Sequence, residues 1–272
     1  MFKIGLSSCG KPLNDETFES YTSAGIECME VSPAKIEYDP LDFKEIYKLS
    51  QRHGVKLWSF HLPFVPFGIY DLASAELYEG TVQRESEFIK KAADIGIDKF
   101  IIHSSSEEIY DDTRHISLDR ASEGLARLAD VADSCGGFVA VEDLPRTCLG
   151  RNSGEVIALI SKHEKLRVCF DTNHLVNENP ADFVRKLGDK IITTHVSDYD
   201  FVDEKHWLPG EGSIDWQELI AALKEVNYTG AWLYEIGYNA PESMPRSRNL
   251  TCEDFARNAK ELFAGQTPTI IK

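Results

Sequence analysis

Eight short runs of β-branched and apolar residues recur along the chain: KIGLSS (3–8), CMEVS (28–32), KLWSFHLP (56–63), KFIIHSS (99–105), FVAVEDL (138–144), LRVCFDTNH (166–174), IITTHVSD (191–198) and AWLYEIG (231–237). Between them lie longer stretches at helical period, among them 39–54, 74–96, 116–137 and 213–227, several opening near an Asp or Ser and closing on a Gly, as helix caps require. Strand and helix alternate to the C-terminus with no Gly-rich linker or low-complexity tract, and such alternation builds parallel sheets. Eight βα units in 272 residues, 42% of them hydrophobic, predict one α/β domain over 1–272, a (β/α)8 TIM barrel, which needs about 250 residues. A doubly wound open sheet is the alternative, but it usually has fewer strands.

Charge and cysteine usage narrow the partners. With 45 Asp and Glu against 29 Lys and Arg, the net charge is -16, which repels nucleic acid and anionic membranes and favours a small-molecule partner. The six cysteines (9, 28, 135, 148, 169 and 252) are scattered without a C-x-x-C pair and read as free thiols of a reducing cytoplasm. The start has too short an apolar run for a signal peptide, and no stretch approaches the roughly 18 apolar residues of a spanning helix, so a cytoplasmic location is expected. No G-x-G-x-x-G or Walker-type loop follows a strand.

Polar residues gather where the apolar runs stop: His61, His103, Glu142, Asp171 with His174, His195 with Asp198, and Glu235. In a barrel those strand ends form one rim, where barrel enzymes keep their active sites. A single strand-end His is most often a core histidine bonded to a carbonyl, and a single Asp a cap or turn residue. Four successive strands carrying Glu, Asp or His at one level are a different matter, because such a crowd needs a cation. Two Glu, one Asp and one His suit Mn, Mg or Co, and the further histidines suit Zn. Glu30 is similarly placed, with a salt bridge to a neighbouring strand as its structural alternative.

The segments VAVEDLPRTCLG (139–150), VCFDTNHL (168–175), THVSD (194–198), DEKHWLPGEGSIDW (203–216) and WLYEIG (232–237), in this order, resemble the xylose isomerase-like barrel superfamily of sugar phosphate isomerases and epimerases over nearly the whole chain. The resemblance implies one divalent ion on Glu142, Asp171, His195 and Glu235. It gives Glu142 and Glu235 the exchange of an α-proton through an enediolate, as in ketose epimerases. His174 and His206 would orient hydroxyls or shuttle protons, and His61 and His103 would line the pocket or bind a second ion. Arg146 and Lys205 are the nearest cations to receive a phosphate or carboxylate.

Ketose 3-epimerases carry an Arg two residues after the metal His and a second Glu six after the first metal Glu, where this chain has Ser197 and Cys148, which leaves the substrate class open. A lyase or dehydratase acting on a keto-sugar or keto-polyol, and a sugar-binding protein without turnover, stand as alternatives. So does the zinc-dependent apurinic endonuclease of the same superfamily, whose three-metal site His61, His103, Glu142, Asp171, His174, His195, Asp203 or Glu204, His206 and Glu235 would fill in large part. That enzyme uses D-x-H, whereas here Asp203 precedes His206 by three and Glu204 by two, and no basic, aromatic-rich loop is present to hold DNA. The stretch 239–255 is expected to cover the mouth or meet a partner chain in a homo-oligomer.

Phosphate neutralisation supplies most nonspecific DNA affinity, so this acidic chain is expected neither to retain nor to incise an abasic-site duplex at physiological salt. A gel-shift and incision assay checks it, and stoichiometric incision contradicts it.

Overall fold

A computed structural model of the chain describes residues 2–9, 11–33, 38–64 and 69–271. All eight runs form strands: β1 (Lys3–Ser7), β2 (Cys28–Val31), β3 (Lys56–His61), β4 (Lys99–Ile102), β5 (Phe138–Glu142), β6 (Leu166–Asp171), β7 (Ile191–His195) and β8 (Ala231–Tyr234). Each is followed by a helix: α1 (Asp15–Ala24), α2 (Phe43–His53), α3 (Tyr78–Ala93), α4 (Arg114–Ser134), α5 (Ser153–Leu159), α6 (Pro180–Leu187), α7 (Trp216–Glu225) and α8 (Cys252–Phe263). Local chemistry starts them: the side chains of Asn14, Asp42, Asn152, Asn179 and Asp215 accept otherwise orphaned backbone N–H groups of the first turns.

The strands pair in parallel in the order β7-β6-β5-β4-β3-β2-β1-β8. The ring closes between β7 and β8 through a bridge of Val196 with Tyr234, the Val196 N–H donating to the Leu233 carbonyl at 2.8 Å. The Thr194 hydroxyl donates to the Ala231 carbonyl at 2.9 Å across the same seam. This is a single (β/α)8 TIM barrel, and closure rules out the doubly wound sheet. Among the described residues, no helix is long and apolar enough to cross a membrane, and all six cysteines are free thiols.

Period-two alternation sorts each strand. In β5, Val139 and Val141 join the main core with the helices, while Ala140 packs with Ile101 and Cys169 in a separate interior cluster. A second interior cluster holds Cys28, Trp58, Ala231 and Leu233. The Trp58 indole N–H reaches across from β3 to the Thr193 hydroxyl at 3.1 Å. Gly5 has no room for a side chain, since a Cβ there would lie 2.8 Å from the Cys28 sulfur. With its lower layers plugged, the barrel is open for chemistry only at the strands' C-terminal ends.

The strands end sooner than their apolar runs, β5 at Glu142, β6 at Asp171 and β7 at His195. The residues beyond leave the ladder to build the rim. Asp198 is one of them, and its carboxylate serves the loop after β7 rather than the rim's cluster. It accepts from the Tyr199 and Gly210 N–H groups at 2.9 and 2.8 Å, the Ile214 N–H at 3.2 Å and the Trp216 indole N–H at 2.9 Å. The LPGEGSIDW stretch is thus a scaffold. Gly210 takes φ +97, and a Cβ on Gly212 would fall 2.4 Å from the Asp198 carboxylate. Glu211 forms a bidentate pair with Arg246 at 2.9 and 2.7 Å, both side chains buried, which binds the 239–255 stretch to this scaffold.

Asp198→Ala leaves four N–H donors without their acceptor, three of them buried, and each unmade buried bond costs about 1–3 kcal/mol before relaxation. Chemical denaturation is expected to show a loss of about 2–5 kcal/mol with enhanced proteolysis within 199–216. A loss below about 0.5 kcal/mol, the usual range of a neutral surface change, contradicts the scaffold role.

Candidate active site

The rim gathers its polar groups around one imidazole. His195, fully buried at the end of β7, meets Glu142 Oε1 and Glu235 Oε2 at 3.1 Å through Nδ1 and has Asp171 Oδ2 at 3.9 Å. Its Nε2 lies 3.0 Å from Glu30 Oε2, which also accepts from the Ser59 hydroxyl at 2.8 Å. Glu30 therefore holds the far side of the ring, and Nδ1 is turned towards the three other carboxylates. Ligand-type atoms of Glu142, Asp171, His195 and Glu235 all lie within 4.8 Å of one another.

The electrostatics shows what this set lacks. Burial pushes the Asp171 carboxyl up to about 6, and the charges of Glu142 and Glu235 add to that rise. Burial also opposes ionisation of Glu142 and Glu235, yet His195 holds Glu142 well below the usual carboxylate range, with His103 assisting, and brings Glu235 down to about 2. Burial works against the His195 imidazolium, but Cys169, Glu235, Glu30 and Glu142 raise it well above an ordinary histidine. Buried carboxylates at such spacing demand positive charge. Asp171 Oδ2 is buried with no hydrogen-bond partner, so the donor set fits a divalent cation in both chemistry and an unused lone pair.

Two flanking groups extend the cluster. His61 and His103 place Nε2 3.3 and 3.2 Å from Glu142 Oε2, and His61 Nδ1 donates to the Leu62 carbonyl at 2.9 Å. Burial opposes the charge of both rings. Glu142 nevertheless lifts His61 to about 8, whereas burial keeps His103 below its ordinary value. On the other side, His174 Nδ1 donates to the Asp143 carbonyl at 2.8 Å and Nε2 faces Glu204 Oε2 at 3.3 Å. His206, held at φ +50, donates from Nδ1 to the Glu235 carbonyl at 3.2 Å. Two further ligand-type groups, His61–His103–Glu142 and His174–Glu204–His206, share the site.

His61, His103, Glu142, His174, His206 and Glu235 line a cavity of about 850 Å³, large enough for a monosaccharide and more, with His195 and Asp171 buried behind them. Phe64 lies tilted against His103 and His61 at centroid distances of 4.3 and 4.8 Å and makes an apolar wall with Leu144 and Pro145. Arg146 borders the cavity with its guanidinium already engaged, on Glu107 at 2.7 Å, Asp203 at 2.8 Å and Glu204 at 3.1 Å. Lys205 lies outside the cavity wall, 4.0 Å from Asp200. Of the two acids before His206, Glu204 faces the histidines and Asp203 serves Arg146.

Sequence reading brought the four ligand candidates and four histidines to one place but missed the supporting shell. Asn173, within DTNH, accepts the Lys205 and His206 N–H groups at 2.8 and 3.3 Å and fixes the loop that carries Glu204. Its neighbours in that motif were signal enough to find it. Glu107 and Phe64 sit in irregular loops that no periodicity marks.

A family model described as xylose isomerase-like TIM barrel matches residues 18–253. An uncharacterized protein of Methanocaldococcus jannaschii is 28% identical over 70% of this chain and 68% of its own length. D-psicose 3-epimerase of Enterocloster bolteae is 30% identical over 43% of this chain, a match spanning only 39% of that enzyme. The solved structure of a D-tagatose 3-epimerase-like protein superposes with a TM-score of 0.80 over 97% of this chain and 96% of its own, at 24% identity, a likeness of fold.

Removing a ligand acts more strongly than loosening one, and even residues that only orient ligands matter 10- to 100-fold in metal affinity. Asp171→Ala and His195→Ala are expected to weaken divalent-metal binding well over tenfold, and Glu30→Gln by roughly 10- to 100-fold. Chelator competition measures both, with circular dichroism to show that the barrel persists. Unchanged affinity in Glu30→Gln contradicts its hold on His195.

Proposed function

The chain belongs to the xylose isomerase-like TIM barrel family, and from that premise we propose that it is a divalent-metal-dependent sugar epimerase or isomerase that moves a proton beside a substrate carbonyl. The observation that carries this reading is the convergence of Glu142, Asp171, His195 and Glu235, of which Glu142 and Glu235 line an 850 Å³ cavity and Asp171 and His195 lie buried behind them. The 3-epimerase activity named for the Enterocloster bolteae relative supports it. Glu142, Asp171, His195 and Glu235 would hold the ion, which would supply Lewis-acid polarisation of a substrate carbonyl.

The chain's own groups then set the proton's path. Glu142 comes from β5 and Glu235 from β8, three strands apart on the ring, so the two carboxylates approach a substrate from different sides. One takes the α-proton and the other returns it on the opposite face, which inverts the centre. Glu142 Oε2 faces His61 and His103, which stabilise its ionised form and can receive the proton it collects. The Nδ1 bonds of His174 and His206 to backbone carbonyls fix both rings, so that the His206 Nε2 orients substrate hydroxyls or passes protons and the His174 Nε2 does so together with Glu204. Phe64 and Leu144 exclude water from one wall.

A second reading, a three-metal phosphodiesterase, draws on the two flanking ligand groups. The charge of -16 and the complete pairing of Arg146 with acids weigh against it.

Glu142→Gln and Glu235→Gln keep the shape and remove the base, so each is expected to lower turnover by roughly 10² to 10⁴. The assay presents keto-sugars to metal-loaded protein in heavy water and records deuterium exchange and product, with metal occupancy measured alongside. Wild-type rates in both loaded variants overturn the mechanism.

A further inference from the structure

Three rim loops meet at Arg146, which stands in the loop after β5. Its Nε donates to Glu107 of the loop after β4, and its Nη1 donates to Asp203 of the loop after β7 and also contacts Glu204 there. Glu204 is shared: Oε1 lies 3.1 Å from Arg146 and Oε2 3.3 Å from His174 Nε2. Arg146 sits at φ +51 and His206 at φ +50, left-handed conformations that cost a non-glycine residue energy and persist only where surroundings impose them. Both strained residues flank the same carboxylate.

The imidazoles of His174 and His206 are arranged as ligands are, each with Nδ1 bonded to a backbone carbonyl and Nε2 turned away from the backbone, that of His174 onto Glu204. With Glu204 they form a ligand-type group on the cavity wall. What distinguishes this group from the Glu142–Asp171–His195–Glu235 set is the counter-charge already present. Among the described residues, the larger set has three carboxylates around an imidazole and no guanidinium in contact, whereas Glu204 has an arginine, a cation that proteins do not deprotonate, fixed on its other oxygen.

We propose that Arg146 sets the metal count of this protein, its guanidinium taking up the Glu204 carboxylate charge that a divalent cation on His174, Glu204 and His206 would require, so that the chain holds one ion instead of two. The inference rests on the one-ion centre proposed above. A divalent cation on Glu204 Oε2 would face the guanidinium across a single carboxylate, and the repulsion of fixed like charges in a half-buried site weakens its binding. Glu204 then stays a hydrogen-bond partner of His174. The His174–Glu204–His206 side of the pocket orients substrate through neutral or protonated imidazoles rather than through a second Lewis acid. Arg146 is a positioning residue in this account, acting through Glu204.

The test counts ions. Chelator-stripped protein is titrated with Co²⁺ and followed by visible absorption, and with Zn²⁺ followed by elemental analysis. Wild type is expected to bind one equivalent tightly, with a second at least tenfold weaker. Arg146→Ala is expected to bind that second equivalent at least tenfold more tightly than wild type, with a second Co²⁺ absorption component. His206→Ala added to Arg146→Ala is expected to remove that component and leave the first equivalent. Arg146→Lys, which restores the charge, is expected to return the single-ion count, a rescue that a merely structural role would not produce. Arg146→Gln repeats the titration should the Ala variant lose its circular dichroism spectrum. Two tight equivalents in wild type, or the same second affinity in wild type and in the folded Ala or Gln variant, overturn the inference while leaving the first centre standing. No tight equivalent at all overturns both.

Discussion

Four carboxylates and one imidazole share the buried end of the barrel, and the rest of the molecule is arranged around keeping them together. Glu30 on one nitrogen of His195, with Glu142, Glu235 and Asp171 at the other, is a crowd that no isolated strand or hairpin could tolerate. It persists because eight strands bring their ends to one circle, and because the layers beneath are filled with Trp58, Leu233, Ile101 and Cys169, which give the rim a rigid, dry floor. The same burial that makes the charges costly makes them strong towards a cation and a polarised substrate.

Around that centre, the loops divide the work between scaffold and site. Asp198 departs from the rim to organise Gly210, Ile214 and Trp216, and Glu211 pairs with Arg246 to pin the stretch after β8 onto the same scaffold. This leaves His206 and Glu204 to line the cavity on a loop that the buried Asn173 side chain fixes through the Lys205 and His206 N–H groups. Arg146 closes a second tier by joining three loops through acids. A cation placed there looks like an anion receptor in sequence, and in the fold it is a neutralised clasp. The cavity's charge is therefore set by its histidines and by Glu142 and Glu235, the two glutamates proposed to move the proton.

How much of this was legible in the sequence follows from the range of each interaction. The eight strands could be read because apolar alternation and caps such as Asn14 and Asp215 act within a few residues. The four ligand candidates could be read because in a parallel barrel the end of every strand lies on the same side, so position along a strand already fixes height. Their order along the chain also resembles a family now matched by residues 18–253. Strand ends were overrun because residues such as His174 and Asp198 continue an apolar run while their hydrogen bonds leave the ladder, His174 for the loop after β5 and Asp198 for its own loop.

The sequence by itself determined the barrel, its direction, and which carboxylates and imidazoles stand on its rim, since these depend on local periodicity and on the handedness and polarity of βα units. Only the tertiary structure decided the assignments among those residues: that Glu30 holds His195, that Glu204 and not Asp203 meets His174, that Asp198 is scaffold, and that Arg146 is bound by acids from two other loops. The contacts of Glu30, Glu204 and Arg146 join residues tens of positions apart, and those of Asp198 residues up to 18 apart, all at distances near 3 Å. Loop conformation in three dimensions sets such distances, and residue spacing along a chain carries no record of them.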